Sequence, residues 1–194
     1  YHRMEHRGLP HALIEGMARA RGRYVAILDH DDRLTPDSLR TRLEAIQQNH
    51  VGLVYGDLLL MSPEGVVYGE QRFPDLTRPG AFVHACLTHA IGPLKHGTIL
   101  VDRAVALAVG DYDPLLAIEY DLDLILRVAK AQGHLHLPTP VAVYRVHPGN
   151  FSRSFRYRLK QIRYRWLVMD RHMPPGVRRL TAKGWVGITN LGKA

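Results

Sequence analysis

The stretch RYVAILDHDDRLTPDSL, residues 23–39, sets an apolar run directly against three carboxylates, Asp29, Asp31 and Asp32. Residues 24–28 have the aromatic and β-branched content of a buried strand. Thr35 then reads as a helix N-cap with Pro36 at the first helical position, and Leu39, Leu43 and Ile46 mark the apolar face of the helix that follows. The acidic residues therefore fall on a strand-to-helix loop, at the carboxyl end of a strand, where layered α/β folds bind their ligands. Three like charges within four positions are costly unless cations, hydrogen-bond donors or open water compensate them. Hard oxygen ligands on a short loop suit Mg²⁺ or Mn²⁺ sharing a phosphorylated substrate. A solvated acidic turn, with Asp32 helping to start the helix, accounts for the same residues.

Outward from this loop the chain alternates helices and strands. Residues 9–22 read as a helix, with Ala12, Leu13, Met17 and Ala20 at helical spacings and Gly22 as the stop. VGLVYGDLLLM (51–61) reads as a buried strand, SPEG (62–65) as a turn, and 66–68 as the strand returning from it. GTILV (97–101) and TPVAVYRVH (139–147) are further strands. EYDLDLILRVAKAQG (119–133) is a helix that begins near Glu119 and stops at Gly133. This order argues for an α/β fold with a mostly parallel sheet flanked by helices.

The chain holds 194 residues, 46% of them apolar, enough for a real core. No run approaches the length of a membrane span, and no charged-then-apolar leader precedes a cleavage site. The single cysteine, Cys86, cannot form an intramolecular disulfide, which permits a reducing compartment. Charge is uneven: residues 151–194 carry 11 Lys and Arg against one Asp, while residues 1–150 carry 15 against 17 Asp and Glu. The boundary near residue 150 suggests a catalytic body (1–150) followed by a basic helical extension (151–194). In that extension Phe155, Leu159, Ile162 and Trp166 share one helical face with Arg and Lys around the rest. Such a tail expects an anionic partner: phospholipid, nucleic acid or a phosphorylated substrate.

Five separated segments together resemble glycosyltransferase family 2. They are GLPHALIEGMARARGRYVAILDHDDRLTPDSL (8–39), LVYGDLLLMSPEG (53–65), KHGTILVDRAVALAVGDYDPLL (95–116), YDLDLILRV (120–128) and VAVYRVHPGNFS (141–152). They run in the family's order over residues 7–152. The resemblance implies the Rossmann-like GT-A fold and an inverting transfer of sugar from a nucleoside-diphosphate donor to an acceptor hydroxyl, in cell-envelope or polysaccharide glycan synthesis. It implies Mn²⁺ or Mg²⁺ held by Asp31 with Asp29 and His147. Donor contacts fall on Asp29, His30, His96, Gly97, Thr98 and Arg145, and the general base on Asp121; Asp123, two residues on, reads as structural. Arg145 reads also as an ion-pair partner for the acidic loop.

The resemblance further implies that a base-binding portion of roughly 60 residues, on the order of two βα units, precedes Tyr1. Leu13-Ile14 stands where many relatives carry Arg-Asn, and Tyr120 where Glu is usual. The expected partners are the donor, a glycan or lipid-linked acceptor and, through the basic tail, an anionic membrane. The expected location is cytoplasmic, reaching the membrane's inner face. Two rivals come from other classes. A metal-dependent phosphoesterase would need further ligands beyond DHDD, with Asp57, His84 and His89 as candidates. A nucleic-acid-binding module would use RSFRYRLKQIRYRW, and the near-neutral body argues against it.

Overall fold

The computed structural model describes residues 2–76, 80–88, 94–150, 155–176, 180, 182–184 and 186. Helix α1 (Leu9–Arg19) leads into strand β1 (Tyr24–Ala26) and, past the acidic loop, short strand β2 (Arg33–Leu34). Helix α2 (Ser38–Asn49) precedes the hairpin of β3 (Leu53–Met61) and β4 (Val67–Gln71). Helix α3 (Ala81–Leu87), β5 (Ile99–Asp102), α4 (Arg103–Ala108), α5 (Tyr120–Gln132), β6 (His134–Arg145) and α6 (Phe155–His172) complete the order.

The strands line up as β1-β5-β3-β6-β2, with β4 pairing β3 from outside that path. The α/β architecture is as expected, but the sheet differs from a mostly parallel one. Among the described residues β3–β6 is the parallel pair, and β1–β5, β3–β5, β3–β4 and β2–β6 are antiparallel. The reason lies in the connections. SPEG is a tight turn and can return the chain only antiparallel, whereas the passage from β3 to β6 contains helices and restores the direction.

Side chains of β3 alternate between two cores, which is why its sequence is apolar apart from Gly56 and Asp57. Leu53 and Tyr55 join Met17, Phe82, Leu126, Val168 and Met169 on one side, while Val54 meets Ala45, Ile46 and Leu100 on the other. The β3–β6 register slips at Gly56 and Asp57, where Pro138 and Pro140 cannot donate to the ladder. Gly56 is required there, since a Cβ would lie 2.5 Å from Val141 Cγ1 and 2.9 Å from the Thr139 carbonyl.

Two helix faces differ from the apolar pattern. In α2 the buried residues are Ser38, Arg42, Ala45 and Ile46, while Leu39 and Leu43 are exposed. Thr35 does not cap α2, because its hydroxyl donates to the Pro140 carbonyl at 2.9 Å and the chain passes through a further turn before Ser38. Arg42 takes the inward position because it supplies donors to oxygens where β5 begins: Nη1 to the carbonyls of Gly97 (3.1 Å) and Ile99 (2.8 Å), Nη2 to Ser38 Oγ (2.8 Å), and Nε to the Ser38 carbonyl (3.2 Å). In α6 the buried residues are Arg165, Val168 and Met169, whereas Leu159 and Trp166 face outward. This helix packs into the same core as α3 and α5.

Candidate active site

Strand pairing assembles the acidic loop. The antiparallel register of β2 on β6 sets Arg33 opposite Val143 and Leu34 opposite Ala142, which carries the preceding aspartates toward the end of β6. There His147 Nε2 lies 2.9 Å from Asp31 Oδ2, and the Arg145 amide donates to Asp32 Oδ1 at 2.9 Å. Asn150 orients the histidine by accepting from its backbone N–H at 2.6 Å and donating to the Arg145 carbonyl at 3.2 Å. Asp29 and His30 are exposed beside this pair, with His30 Nδ1 3.9 Å from Asp31 Oδ1.

The neighbouring carboxylates are pushed in opposite directions. The His147 hydrogen bond holds Asp31 below its ordinary range, whereas burial raises Asp32. Asp31 is thus kept ionised, while Asp32 serves the loop's backbone.

The second half of the site lies at the start of α5. Asp121 stands in its first turn, with Oδ1 accepting from the Leu122 amide at 2.8 Å. A cavity of about 540 Å³ opens beside it, lined by Tyr120, Asp121 and Tyr157 together with His6, Arg7 and His11. On the other side, the rings of His96, Tyr112 and Tyr120 lie 5.7 to 6.2 Å apart, centroid to centroid. Burial raises the Tyr120 hydroxyl, and the charges of Asp121 and Asp29 both add to the effect. One hydroxyl therefore stands within electrostatic reach of the acidic loop and of the helix carboxylate.

The turn that presents Asp121 is strained. Glu119 caps α5 with φ 67°, a left-handed conformation that costs a residue with a Cβ about 1 to 3 kcal/mol. Its carboxylate is buried against Arg165 Nη2 at 2.6 Å and accepts from Gln161 Nε2 at 2.7 Å. Asp123, as expected of a structural residue, is 1% exposed and meets Arg127 Nε at 2.9 Å and His172 Nε2 at 3.0 Å.

Several residues expected to meet a donor are turned elsewhere. Thr98 is fully buried and its hydroxyl donates to the Lys95 carbonyl at 2.7 Å. Gly97 is buried against Ala142, because the 3-10 turn His96–Thr98 feeds directly into β5. Arg145 uses its guanidinium on the carbonyls of Asp31, Ser62 and Pro63, bracing the acidic loop to the β3–β4 turn through backbone oxygens instead of pairing a carboxylate. His96 lines a separate, largely apolar recess with Tyr112 and Asp121, its Nε2 3.3 Å from the Tyr112 hydroxyl. Sequence reasoning missed Tyr112 as a wall of the site and Arg165 as the partner of Glu119. The buried Glu119 next to an expected base was the one signal that a cation had to come from elsewhere.

Among the described residues no three His, Cys, Asp or Glu side chains converge on one point. Asp31 and His147 nevertheless fit a divalent ion as a donor set. A carboxylate oxygen and an imidazole nitrogen face each other, and Mg²⁺ or Mn²⁺ ordinarily takes one or two protein ligands and completes its shell with phosphate and water. The phosphoesterase candidates do not join them. Asp57 is buried, accepting from the Phe73 amide and His136, His84 lies exposed on α3, and His89 lies outside the described residues.

The model of the family described as Glycosyl transferase family 2 matches residues 1–105. Succinoglycan biosynthesis protein ExoO of Rhizobium meliloti (strain 1021) is 28% identical over 152 residues, covering 73% of this chain and 43% of the relative. The chain thus spans less than half of that protein. Among solved structures, Mannosyltransferase PcManGT from Pyrobaculum calidifontis in complex with GDP-Man and Mn²⁺ superposes with a TM-score of 0.58 at 18% identity, covering 97% of this chain and 54% of that one. Staphylococcus aureus TarS 1-349 in complex with UDP gives 0.56 at 14% identity, covering 95% and 51%.

Proposed function

Because this chain belongs to glycosyl transferase family 2, we propose that its cleft moves a sugar from a nucleoside-diphosphate donor to an acceptor hydroxyl with inversion at the anomeric carbon. The observation that carries this reading is the Asp31–His147 contact at the end of β6 together with a second carboxylate, Asp121, beside a cavity at the start of α5. The Asp31–His147 pair at the end of β6 suits an ion and a diphosphate, and Asp121 at the cavity beside Tyr120 suits a proton acceptor. GDP-Man and UDP in the structural neighbours support a nucleotide-sugar donor.

Asp31 and His147, with Asp29 beside them, would hold Mn²⁺ or Mg²⁺, which when bound neutralises charge on the diphosphate. Asp121 takes the acceptor's proton as the acceptor oxygen bonds the anomeric carbon. The bond from that carbon to the diphosphate breaks, and its electron pair leaves with the diphosphate. The Leu122 amide fixes one carboxylate oxygen of Asp121 and leaves the other for the proton. Asp29 and His30 border the donor from the acidic loop, and the rings of His96, Tyr112 and Tyr120, which meet edge-on or tilted, close the site beside Asp121.

The ExoO likeness supports a role in polysaccharide or envelope glycan synthesis. Among the described residues no helix is long and apolar enough to cross a membrane. The exposed Leu159, Lys160, Arg163, Trp166 and Leu167 of α6 support contact with the anionic inner face of a membrane, where a lipid-linked acceptor would be met.

The test is release of nucleotide from UDP-GlcNAc and GDP-Man by the native protein and by Asp121→Asn, with Mn²⁺ present. The variant is expected to lose about 10² to 10⁴ in rate while binding UDP or GDP as tightly as the native protein. A variant that turns over at the native rate removes Asp121 from the chemistry.

A further inference from the structure

Asp121 is flanked two residues away on each side by a carboxylate buried from solvent. Glu119 is 5% exposed and Asp123 is 1% exposed. Both are held by one helix. From α6, Arg165 Nη2 reaches Glu119 at 2.6 Å, and Gln161 Nε2 donates to the same carboxylate at 2.7 Å. About two turns further along, His172 Nε2 meets Asp123 Oδ1 at 3.0 Å and Arg171 approaches it at 3.5 Å. Arg165 is anchored in turn, its Nη1 donating to the Cys86 carbonyl at the end of α3.

We propose that α6 is a clamp on the first turn of α5, in which Arg165, with His172 at the second point, is a positioning residue for the Asp121 carboxylate. This rests on Asp121 being the base proposed above. Two arguments separate a clamp from ordinary packing. A fully buried ion pair contributes little net stability compared with apolar residues of the same volume, and the Arg165 Nε is buried with no hydrogen-bond partner. Val168 and Met169 already seat α6 in the core, so stability alone does not call for the pair. The residue held is also the strained one. Glu119 keeps its left-handed backbone at φ 67°, a conformation that persists only where surroundings over-determine it, and it sets the direction in which Asp121 leaves the cap. Glu119, Tyr120 and Asp121 all line the same cavity. A general base must stand within about 2.6 to 3.2 Å of the proton it takes. A displacement of this turn by about 1 Å is enough to cost on the order of 100-fold in rate.

The experiment uses the native protein and four variants: Arg165→Met with Glu119→Gln, a neutral pair of similar volume; Arg165→Lys; Arg40→Ala, an exposed charge on α2; and Asp121→Asn. Nucleotide release from UDP-GlcNAc and GDP-Man is read at saturation, UDP and GDP affinity by calorimetry, and the folded fraction by thermal melting. The double variant is expected to fold and to bind nucleotide within about twofold of native, with its rate per folded molecule lowered about 10- to 100-fold. Arg165→Lys is expected to recover part of that loss, and Arg40→Ala to match the native protein. A folded double variant with the native rate overturns the clamp while leaving the base reading intact, provided Asp121→Asn is slow. If Asp121→Asn keeps its rate, the base reading falls and the clamp with it. Should the double variant not fold, His172→Gln carries the test, and a native rate per folded molecule in that variant overturns the proposal.

Discussion

Replacing Arg42 by Met asks whether a buried cation without a carboxylate partner stabilises this fold. The guanidinium is fully buried, and burial pulls it down to about 10. At ~1.4 kcal/mol per tenfold step in proton affinity, that is a penalty of about 3 kcal/mol on the charged form at neutral pH. Set against it are hydrogen bonds to the carbonyls of Ser38, Gly97 and Ile99 and to the Ser38 hydroxyl. At the lower end for charge-assisted bonds, about 1.5 kcal/mol each, they outweigh the penalty by about 3 kcal/mol. Arg42→Met keeps the bulk of the stem and loses all four bonds, so urea denaturation should show a stability lower by about 3 kcal/mol with an unchanged slope. UDP affinity should weaken as well, because the Gly97 carbonyl belongs to the 3-10 turn that places His96. A variant within about 0.5 kcal/mol of native would refute the reasoning, since the two opposing terms would then be equal.

Asp31→Asn should remove the Mn²⁺ dependence of UDP binding measured by calorimetry while leaving the melting curve in place; metal-dependent binding that survives would dismiss Asp31 as a ligand. Asp123 gives a pH prediction. Burial works to raise its carboxyl, but the His172 hydrogen bond and the Arg127 charge prevail and hold it below 3.8. Its contribution is therefore fully present above about pH 4 and is lost as pH falls through the lower folded value, so urea midpoints at pH 5 and pH 3 should differ less for Asp123→Asn than for native protein. The same variant should lose about 3 kcal/mol at pH 7, because the buried His172 and the half-buried Arg127 are left beside a neutral group. For the membrane proposal, co-sedimentation with phosphatidylserine vesicles should weaken in Lys160→Glu with Arg163→Glu, by about 1 kcal/mol for each basic residue lost; unchanged binding would reject α6 as the contact.

Much of the site was legible because its signals are local. An apolar run meeting three aspartates marks a strand end whatever lies beyond it, and Glu119 to Gly133 carries both ends of α5 within a few residues of each boundary. Residues 51–61 and 139–147 read as unbroken strands in the sequence, so what Gly56, Pro138 and Pro140 do was not legible there. Their role as a register slip between β3 and β6 emerges when Val141 is seen 2.5 Å from where a Cβ would stand.

What tertiary structure alone decided are relations between distant segments. Asp31 and His147 are 116 residues apart and meet because β2 pairs with β6 at one register. Periodicity could not choose the inward face of α2 or α6, since Leu39, Leu43, Leu159 and Trp166 form apolar rows as good as those that are buried. The choice went to the faces carrying Arg42 and Arg165, because the carbonyls of Gly97 and Ile99 and the carboxylate of Glu119 needed donors where no water reaches. Hydrophobicity is written residue by residue along the chain, whereas the need to satisfy a buried oxygen exists only once the elements have packed.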